Sequence, residues 1–129
     1  MQYKPAGYNS LSPYFIVKGA QQMVGFLQNL FNAEVLRRYD HTDGTIMHVE
    51  LKIDDSVLML GDSSEQFPPV THVLHLYVPN VDEVFNKALA LGCTEIERPS
   101  ERPGDPDRRG TFKDFAGNMW SIGTQKTPG

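Results

Sequence analysis

The chain has little cysteine, no long apolar run and no excess of positive charge. Its single cysteine, Cys93, cannot form an internal disulfide, which is typical of a reducing compartment. No stretch approaches the roughly 18 uninterrupted apolar residues of a membrane-spanning helix, and residues 1–15 lack an apolar core of signal-peptide length. We therefore expect a soluble, cytoplasmic protein.

The charge balance excludes two classes of partner. The chain has 12 Lys and Arg against 16 Asp and Glu, a formal net charge of -4. Nucleic acids and anionic membranes bind basic surfaces, so neither is an expected partner. A length of 129 residues fits a single domain with a sizeable core.

A repeated unit is the most informative pattern that is present. The run SVLMLGD (residues 56–62) and the run NMWSIGT (residues 118–124) end the two halves of the chain, at a spacing of roughly 61 residues. Gly61 matches Gly123 and Leu60 matches Ile122. Two packed copies of a small unit form a pseudo-symmetric body whose natural binding site lies between them.

Hydrophobic periodicity predicts the same order of elements in both copies: a strand, a helix and three strands. In the first copy these are residues 12–18, 20–33, 34–41, 46–53 and 56–62, the last three as antiparallel neighbours. In the second they are residues 72–78, a helix capped by Asn80 or Asp82 and ended by Gly92, and strands 94–98, 110–114 and 119–124. The Pro-rich and charged residues 99–110 are expected to form a plain solvated loop or a lid.

The runs MHVELKIDDSVLMLGD (residues 47–62) and RGTFKDFAGNMWSIGT (residues 109–124) resemble the glyoxalase, bleomycin-resistance and extradiol-dioxygenase superfamily, also called vicinal oxygen chelate proteins, and within it the PhnB-like branch. The resemblance covers about residues 11–125. It implies a single domain over residues 1–129 with an α+β fold: two tandem βαβββ modules (about 11–62 and 72–125, linker 63–71) that form a curved mixed sheet cup with helices on the convex side.

The resemblance also implies a divalent metal in many members, held by one position on the first and last strand of each module. Carried over by position, these places fall near Ser12, Met59, Val73 and Ser121, and none is a standard metal ligand. We therefore predict no metal site and no cofactor. A shifted alignment that brings in His72 leaves a divalent metal open.

Strand alternation predicts which side chains face the cup. His48 and Glu50 lie two apart on one strand and are candidates for a general base and its orienting carboxylate, or for a plain pair on a solvated face. Arg109 is a candidate for gripping an anionic or carbonyl-bearing ligand, or for a salt bridge to a nearby aspartate. The predicted ligand-binding residues are Tyr14, Met59, His75, Tyr77, Arg109 and Ser121.

Three functions follow as hypotheses. The favoured one is a protein that binds a small molecule in a cup without metal. The alternatives are a divalent-metal-dependent lyase, isomerase or dioxygenase, and a metal-free acid/base enzyme that uses His48 and Glu50. The resemblance further implies a homodimer.

Overall fold

The computed structural model describes residues 2–126 and divides the chain into two compact units. Unit 1 ends at Val70 and unit 2 begins at Thr71. Each unit has the order strand, helix, three strands, which confirms the predicted α+β fold of tandem βαβββ modules.

Unit 1 contains one mixed sheet with a helix on one face. Its elements are β1 (Tyr14–Val17), α1 (Ala20–Phe31), β2 (Glu34–Asp40), β3 (Ile46–Ile53) and β4 (Ser56–Asp62). The strand order is β1-β4-β3-β2, with β1 parallel to β4 and the other neighbours antiparallel, as predicted for β2, β3 and β4. Helix α1 contacts β1, β3 and β4. We call the sheet face away from α1 the open face of unit 1.

The core of unit 1 lies between the sheet and α1, and strand alternation assigns its members correctly. The predicted core residues of β1 and β3 are all buried, and Met23 and Leu27 of the helix are fully buried among them. Burying such side chains contributes about 1.5–3 kcal/mol each. The strand residues concerned are Phe15, Val17, Val49, Leu51 and Ile53.

A β-bulge at Met47 interrupts the alternation at the start of β3. Tyr39 pairs with His48 and Asp40 pairs with Ile46, so Met47 has no partner on β2. As a result Ile46 is buried in the core while Met47 is half exposed. Regular alternation from Val49 would place Met47 on the core face, and because of the extra residue it lies on the opposite, more exposed face.

The start of α1 is fixed by a side chain from the far end of the unit. Gly19 adopts a left-handed conformation with φ 88°, which suits glycine. The Asp62 carboxylate accepts hydrogen bonds from the backbone N–H groups of Gly19 and Ala20, at 3.2 and 2.9 Å, and of Ile46 at 2.7 Å. It thus supplies the capping acceptor that α1 lacks locally, and a negative charge at the helix N-terminus is favourable.

Unit 2 repeats this plan with β5 (Val73–Tyr77), α2 (Val81–Ala90), β6 (Thr94–Glu101), β7 (Asp107–Lys113) and β8 (Met119–Gln125). The strand order is β5-β8-β7-β6, with β5 parallel to β8. Asn80 is the cap of α2, since its side chain accepts from the Glu83 N–H at 3.1 Å. Within residues 2–126, no helix is long and apolar enough to cross a membrane.

The core of unit 2 is built on the predicted faces of β7 and β8, but β5 is less covered. Phe112, Trp120 and Ile122 are buried as expected. Leu74 and Leu76, predicted to be core, are only half buried. Helix α2 packs mainly against β6, β7 and β8, whereas α1 also contacts β1, so β5 is less covered than its counterpart in unit 1.

The expectation of a loop or lid over residues 99–110 is wrong. Strand β6 continues to Glu101 and β7 begins at Asp107, so the two form an antiparallel hairpin joined by residues 102–106. Prolines are tolerated here because β6 is an edge strand and its pairing is interrupted by register shifts between Glu97 and Ser100. The high content of proline and charged residues predicted a loop, although part of this segment is the paired end of β6.

Candidate functional site

The open face of unit 1 brings Tyr14, His48 and Glu50 into one hydrogen-bonded row. The Tyr14 hydroxyl lies 3.0 Å from His48 Nδ1, and His48 Nε2 lies 2.8 Å from Glu50 Oε2. A carboxylate can only accept, so His48 carries its proton on Nε2 and donates it to Glu50. In the neutral imidazole Nδ1 is then an acceptor, and the Tyr14 O–H donates to it.

Glu50 is held from the other side by residues that the sequence pattern did not single out. The Tyr8 hydroxyl donates to Glu50 Oε1 at 2.5 Å, and Arg37 Nε lies 3.8 Å from the same oxygen. The Glu50 residue is 6% exposed. Its carboxylate therefore has partners on both oxygens, as a buried charge requires.

The pKa values of this row follow from those contacts. Burial raises the pKa of Glu50, but the hydrogen bonds from Tyr8 and His48 and the charge of Arg37 outweigh it and hold that pKa below its usual range. Burial, with a contribution from the negative Glu50, raises the pKa of Tyr14. Tyr14 therefore stays protonated at neutral pH and acts as a hydroxyl, not a phenolate.

Tyr14 also borders a groove of about 970 Å³ in unit 1. The groove lies among the ends of β1 and β4, the β2–β3 turn and residues 63–67. Its apolar lining includes Ile16, Met47 and Phe67, of which Phe67 is 56% exposed. The other described residues that line it are His41, Thr42, Asp43, Thr45, Gly61, Asp62, Ser63, Ser64 and Gln66.

Unit 2 has a second polar network, which contains His75, Tyr77 and Arg109. Arg109 Nη1 lies 2.5 Å from His75 Nε2, and Arg109 Nη2 lies 2.7 Å from Asp107 Oδ2. The Tyr77 hydroxyl donates to the same Asp107 oxygen at 2.6 Å, and Arg109 Nε donates to Asp105 at 3.0 Å. The salt-bridge alternative for Arg109 is therefore present, with Asp105 and Asp107 as its partners.

In the network of unit 2, the imidazole of His75 lies beside the Arg109 guanidinium. Burial and the neighbouring Arg109 guanidinium lower the pKa of His75. Because Arg109 can only donate, His75 Nε2 accepts and its proton lies on Nδ1. Tyr77 donates to Asp107, which raises the Tyr77 pKa. His75 is therefore a neutral ring at physiological pH.

The predicted ligand-binding residues divide between the two units. Arg109 and Ser121 border a small pocket of about 220 Å³ in unit 2. Apart from Gly110, the described residues that line this pocket are polar or charged. Met59 pairs with Tyr14 on one side and Glu50 on the other, so it lies in the row without bordering the groove. The structure thus gathers Tyr14, Met59, His48 and Glu50 in unit 1, and His75, Tyr77, Arg109 and Ser121 in unit 2.

The matching glycines of the repeat explain how these pairs form. Gly61 of β4 lies between β1 and β3, and a Cβ there would be 2.6 Å from the Met47 carbonyl oxygen and 3.4 Å from the Tyr14 hydroxyl. A Cβ at Gly123 of β8 would be 3.4 Å from His75 Nε2. Because these glycines lack a side chain, Tyr14 of β1 reaches across β4 to His48 of β3, and His75 of β5 reaches across β8 to Arg109 of β7.

The turn KDFAGNMW is held by a buried aspartate that has no part in these networks. The Asp114 carboxylate accepts from the N–H groups of Ala116 and Asn118 and from Trp120 Nε1, at 2.9, 3.0 and 2.9 Å. Asp114 is 4% exposed. The motif that carried the family resemblance is therefore a folding element. Cys93 is similarly inert, because burial raises the pKa of its thiol to about 11.

The residues at the positions that hold a divalent metal in the superfamily do not fit one. Ser12, Met59, Val73 and Ser121 supply hydroxyl, thioether and alkyl groups, whereas divalent ions are held by several imidazole, carboxylate or thiolate donors. His72, considered as a substitute, precedes β5, and its backbone N–H donates to Asn118 at 2.8 Å. One imidazole beside this set does not complete a metal site.

The two units, each with the order strand, helix and three strands, define the fold class of the protein. A model of the Glyoxalase/Bleomycin resistance protein/Dioxygenase superfamily matches residues 10–122, and the chain belongs to this superfamily. An uncharacterised protein of Mycobacterium bovis is 32% identical over 127 residues, covering 88% of this chain and 82% of the relative.

Solved structures of several superfamily-like proteins share the fold. TioX from Micromonospora sp. ML1 matches with a TM-score of 0.76 at 20% identity, covering 91% of this chain and 98% of TioX. The fosfomycin resistance protein FosX from Listeria monocytogenes, in complex with Mn(II) and sulfate, matches with a TM-score of 0.68 at 21% identity, over 98% of this chain and 93% of FosX.

Two further structures bear on the predicted branch and on binding. A PhnB protein from Bacillus cereus matches with a TM-score of 0.69 at 18% identity, over 90% of this chain and 99% of that protein. TnmS3 from Streptomyces sp. CB03234, an antibiotic binding protein, matches with a TM-score of 0.68 at 20% identity, over 95% of this chain and 100% of TnmS3.

Proposed function

We propose that this protein binds a small, largely apolar molecule in the groove of unit 1. The observation that carries the proposal is the groove itself: about 970 Å³, with Ile16, Met47 and Phe67 as apolar walls and the Tyr14 hydroxyl at its edge. Sites for small molecules are concave, mostly apolar clefts of roughly 300–1,000 Å³ with a few placed polar groups. The exposed Phe67 ring gains most from a ligand, because its apolar area is still in contact with water.

The comparisons support a binding role without assigning a ligand. TnmS3, which shares the fold, is an antibiotic binding protein, and FosX is a fosfomycin resistance protein. An antibiotic binding protein and a fosfomycin resistance protein therefore share this fold. The groove of unit 1 favours binding, because Ile16, Met47 and Phe67 supply apolar walls beside its polar lining residues.

A matched pair of phenylalanine variants tests the proposal. Hits from a small-molecule screen by thermal shift are measured again by calorimetry on Phe67→Ala and Phe115→Ala. Phe115, 42% exposed in a turn of unit 2, controls for the loss of a surface ring. We expect Phe67→Ala to weaken binding about tenfold, equivalent to about 1.4 kcal/mol, and Phe115→Ala to leave it unchanged. Equal affinity for wild type and Phe67→Ala across all hits would refute the groove.

Binding is proposed to be independent of a divalent metal, because the corresponding positions lack metal-ligating side chains. Elemental analysis of untagged protein and calorimetry before and after dialysis against a chelator test this. We expect no stoichiometric Zn, Mn, Ni or Fe and an unchanged affinity. A stoichiometric ion, or affinity lost on chelation and restored by one metal, would contradict it.

A second candidate function is metal-free acid/base chemistry, and the hydrogen-bonded row favours it. The order Glu50, His48, Tyr14 places an oriented imidazole behind a hydroxyl that borders the groove. Once a ligand is known, its conversion is followed by mass spectrometry. The enzyme hypothesis expects turnover that His48→Gln abolishes while binding persists; turnover that is unaffected by His48→Gln would contradict it.

We also propose that the protein acts in the cytoplasm as a homodimer. The single Cys93 supports a reducing compartment, and exposed apolar side chains such as Val73 and Tyr77, 78% and 58% exposed, support association. Light scattering at micromolar concentration is expected to give twice the chain mass of 14.5 kDa. A clean mass near 14.5 kDa would refute the dimer.

A further inference from the structure

The groove of unit 1 presents hydrogen-bond acceptors and negative charge. Among the described residues that line it, the acidic side chains are Asp43 and Asp62, the imidazole of His41 also lines it, and neither Lys nor Arg does. Both oxygens of the Asp62 carboxylate accept hydrogen bonds from backbone N–H groups. The field in the groove therefore favours cations over anions.

Asp43 keeps its charge on the surface of the groove. Its Oδ1 accepts from both the backbone N–H and the hydroxyl of Thr45, at 2.9 and 2.6 Å. These hydrogen bonds hold the pKa of Asp43 below its usual value, so the group is ionised at neutral pH. Both of these hydrogen bonds end on Oδ1, and within residues 2–126 Oδ2 has no hydrogen-bond donor, which leaves an acceptor for a ligand.

The hydrogen-bonded row determines whether the Tyr14 hydroxyl donates or accepts a hydrogen bond in the groove. Glu50 keeps the His48 proton on Nε2, and the Tyr14 O–H is committed to His48 Nδ1. What Tyr14 offers to the groove is then its oxygen lone pair, an acceptor. Glu50 and His48 act through Tyr14 as positioning residues, and Tyr8 supports them by donating to Glu50.

We propose that the groove selects hydrogen-bond donors: an apolar molecule that carries an amine or ammonium group, in preference to the same molecule with a carboxylate. This inference rests on the proposed function of the groove. The apolar body would lie against Met47 and Phe67, and the nitrogen would donate to Tyr14 or to Asp43. A carboxylate there would face the acidic side chains of Asp43 and Asp62, with neither Lys nor Arg in the described lining to offset them.

Three naphthalene probes that differ in one group test this selectivity. Calorimetry at neutral pH and low salt compares 1-naphthylmethylamine, 1-naphthylmethanol and 1-naphthoate on the wild-type protein. We expect the amine to bind at least about tenfold more tightly than the carboxylate, with the alcohol between them. The amine preference should shrink at high salt, because the groove is open to solvent.

Two variants locate the source of the preference. Asp43→Asn removes a charge at constant shape and should reduce the ratio of amine to carboxylate affinity at least about threefold. Asp55→Asn, at an exposed turn outside the groove, is the matched control and should leave the ratio unchanged. Tyr14→Phe should weaken the amine and the alcohol more than the carboxylate.

The outcomes separate this inference from the proposed function. If all three probes bind alike, or the carboxylate binds best, and Phe67→Ala weakens each of them, the groove binds small molecules but does not select donors. If none of the probes binds, or their binding is insensitive to Phe67→Ala, the proposed function fails and the inference fails with it. A ratio unaffected by Asp43→Asn and Tyr14→Phe also overturns the inference.

Discussion

Glu50 determines the arrangement of the open face of unit 1 at the scale of single residues. It is 6% exposed, receives hydrogen bonds from Tyr8 and His48, and lies near the Arg37 guanidinium. Because its charge is satisfied within the protein, the imidazole beside it has a defined proton position. Whether the Tyr14 hydroxyl donates or accepts at the edge of the groove follows from this one carboxylate.

Tyr8→Phe tests that role. The variant removes the donor to Glu50 and should lower the free energy of unfolding by about 1–2 kcal/mol at neutral pH. The folded-state pKa of Glu50 is depressed, so its contribution is present above its ordinary pKa and is lost as pH falls through the depressed value. Urea unfolding should therefore show the gap to wild type narrowing on acidification below pH about 4.5.

The control for Tyr8→Phe is Tyr3→Phe, at a tyrosine that is 88% exposed. This change should leave stability within about 0.5 kcal/mol of wild type. If Tyr8→Phe behaves like Tyr3→Phe, or if its gap widens in acid, Glu50 is not stabilised by the Tyr8 hydroxyl.

His75 offers a second residue-scale test, because its environment is cationic. NMR titration of the imidazole is expected to give a midpoint below the ordinary value of 6.5, since burial and Arg109 both disfavour the charged ring. Arg109→Met should raise the midpoint by removing the cation and leaving Asp107 nearby. A wild-type midpoint above 6.5, or a fall in the Arg109→Met variant, would contradict the assigned contacts.

At the scale of elements, the repeat conserves a glycine in the strand next to the edge strand, which is β4 in unit 1 and β8 in unit 2. Gly61 and Gly123 occupy matched positions. Gly61 leaves room for a β1 side chain to reach β3, and Gly123 leaves room for a β5 side chain to reach β7. Tyr14 meets His48 in unit 1, and His75 meets Arg109 in unit 2. The duplication has kept this geometry while the side chains that use it have diverged.

The two glycines predict unequal costs of substitution. A methyl group at residue 61 would lie 2.6 Å from a backbone oxygen that cannot easily move, so Gly61→Ala should cost about 2 kcal/mol or more. At residue 123 the nearest atom, at 3.4 Å, belongs to the His75 side chain, which can rotate, so Gly123→Ala should cost under about 1 kcal/mol. Chemical denaturation of both variants measures this. Equal costs, or a larger cost at Gly123, would contradict the account.

Much of the element order was predictable because it depends on short-range patterns. The bounds of β3 and β4 match the prediction, and alternation assigned Val49 and Leu51 to the core. The bulge at Met47 was not predictable, since it depends on how β2 pairs with β3. The hairpin over residues 99–110 was missed because proline and charge are usually typical of loops, and here an edge strand accommodates them.

The candidate site was predictable only in part, for a similar reason. Parity placed Tyr14, His48 and Glu50 on one face, and their side chains are hydrogen-bonded to one another, but alternation carries no information about long-range partners. Tyr8 lies 42 positions from Glu50 along the chain, and nothing in its local sequence indicates the contact.

At the scale of the whole molecule, two units of one plan carry different chemistry. Unit 1 combines an apolar groove with an acceptor-rich edge, whereas the predicted ligand residues of unit 2 are largely engaged with one another. Superfamily membership explains the shared plan, and the divergence explains why the family alone does not define the ligand. The groove of unit 1 is the part of the molecule in which we place function.

The most direct test of this placement uses the methionines as reporters. Met47 borders the groove, Met23 is a buried residue of α1 and Met119 belongs to unit 2. In protein labelled with 13C at the methionine methyl groups, titration with 1-naphthylmethylamine is followed by NMR. The account predicts a saturable shift of the Met47 signal, with the Met23 and Met119 signals unchanged. A saturable shift of Met119 with Met47 unmoved would contradict it.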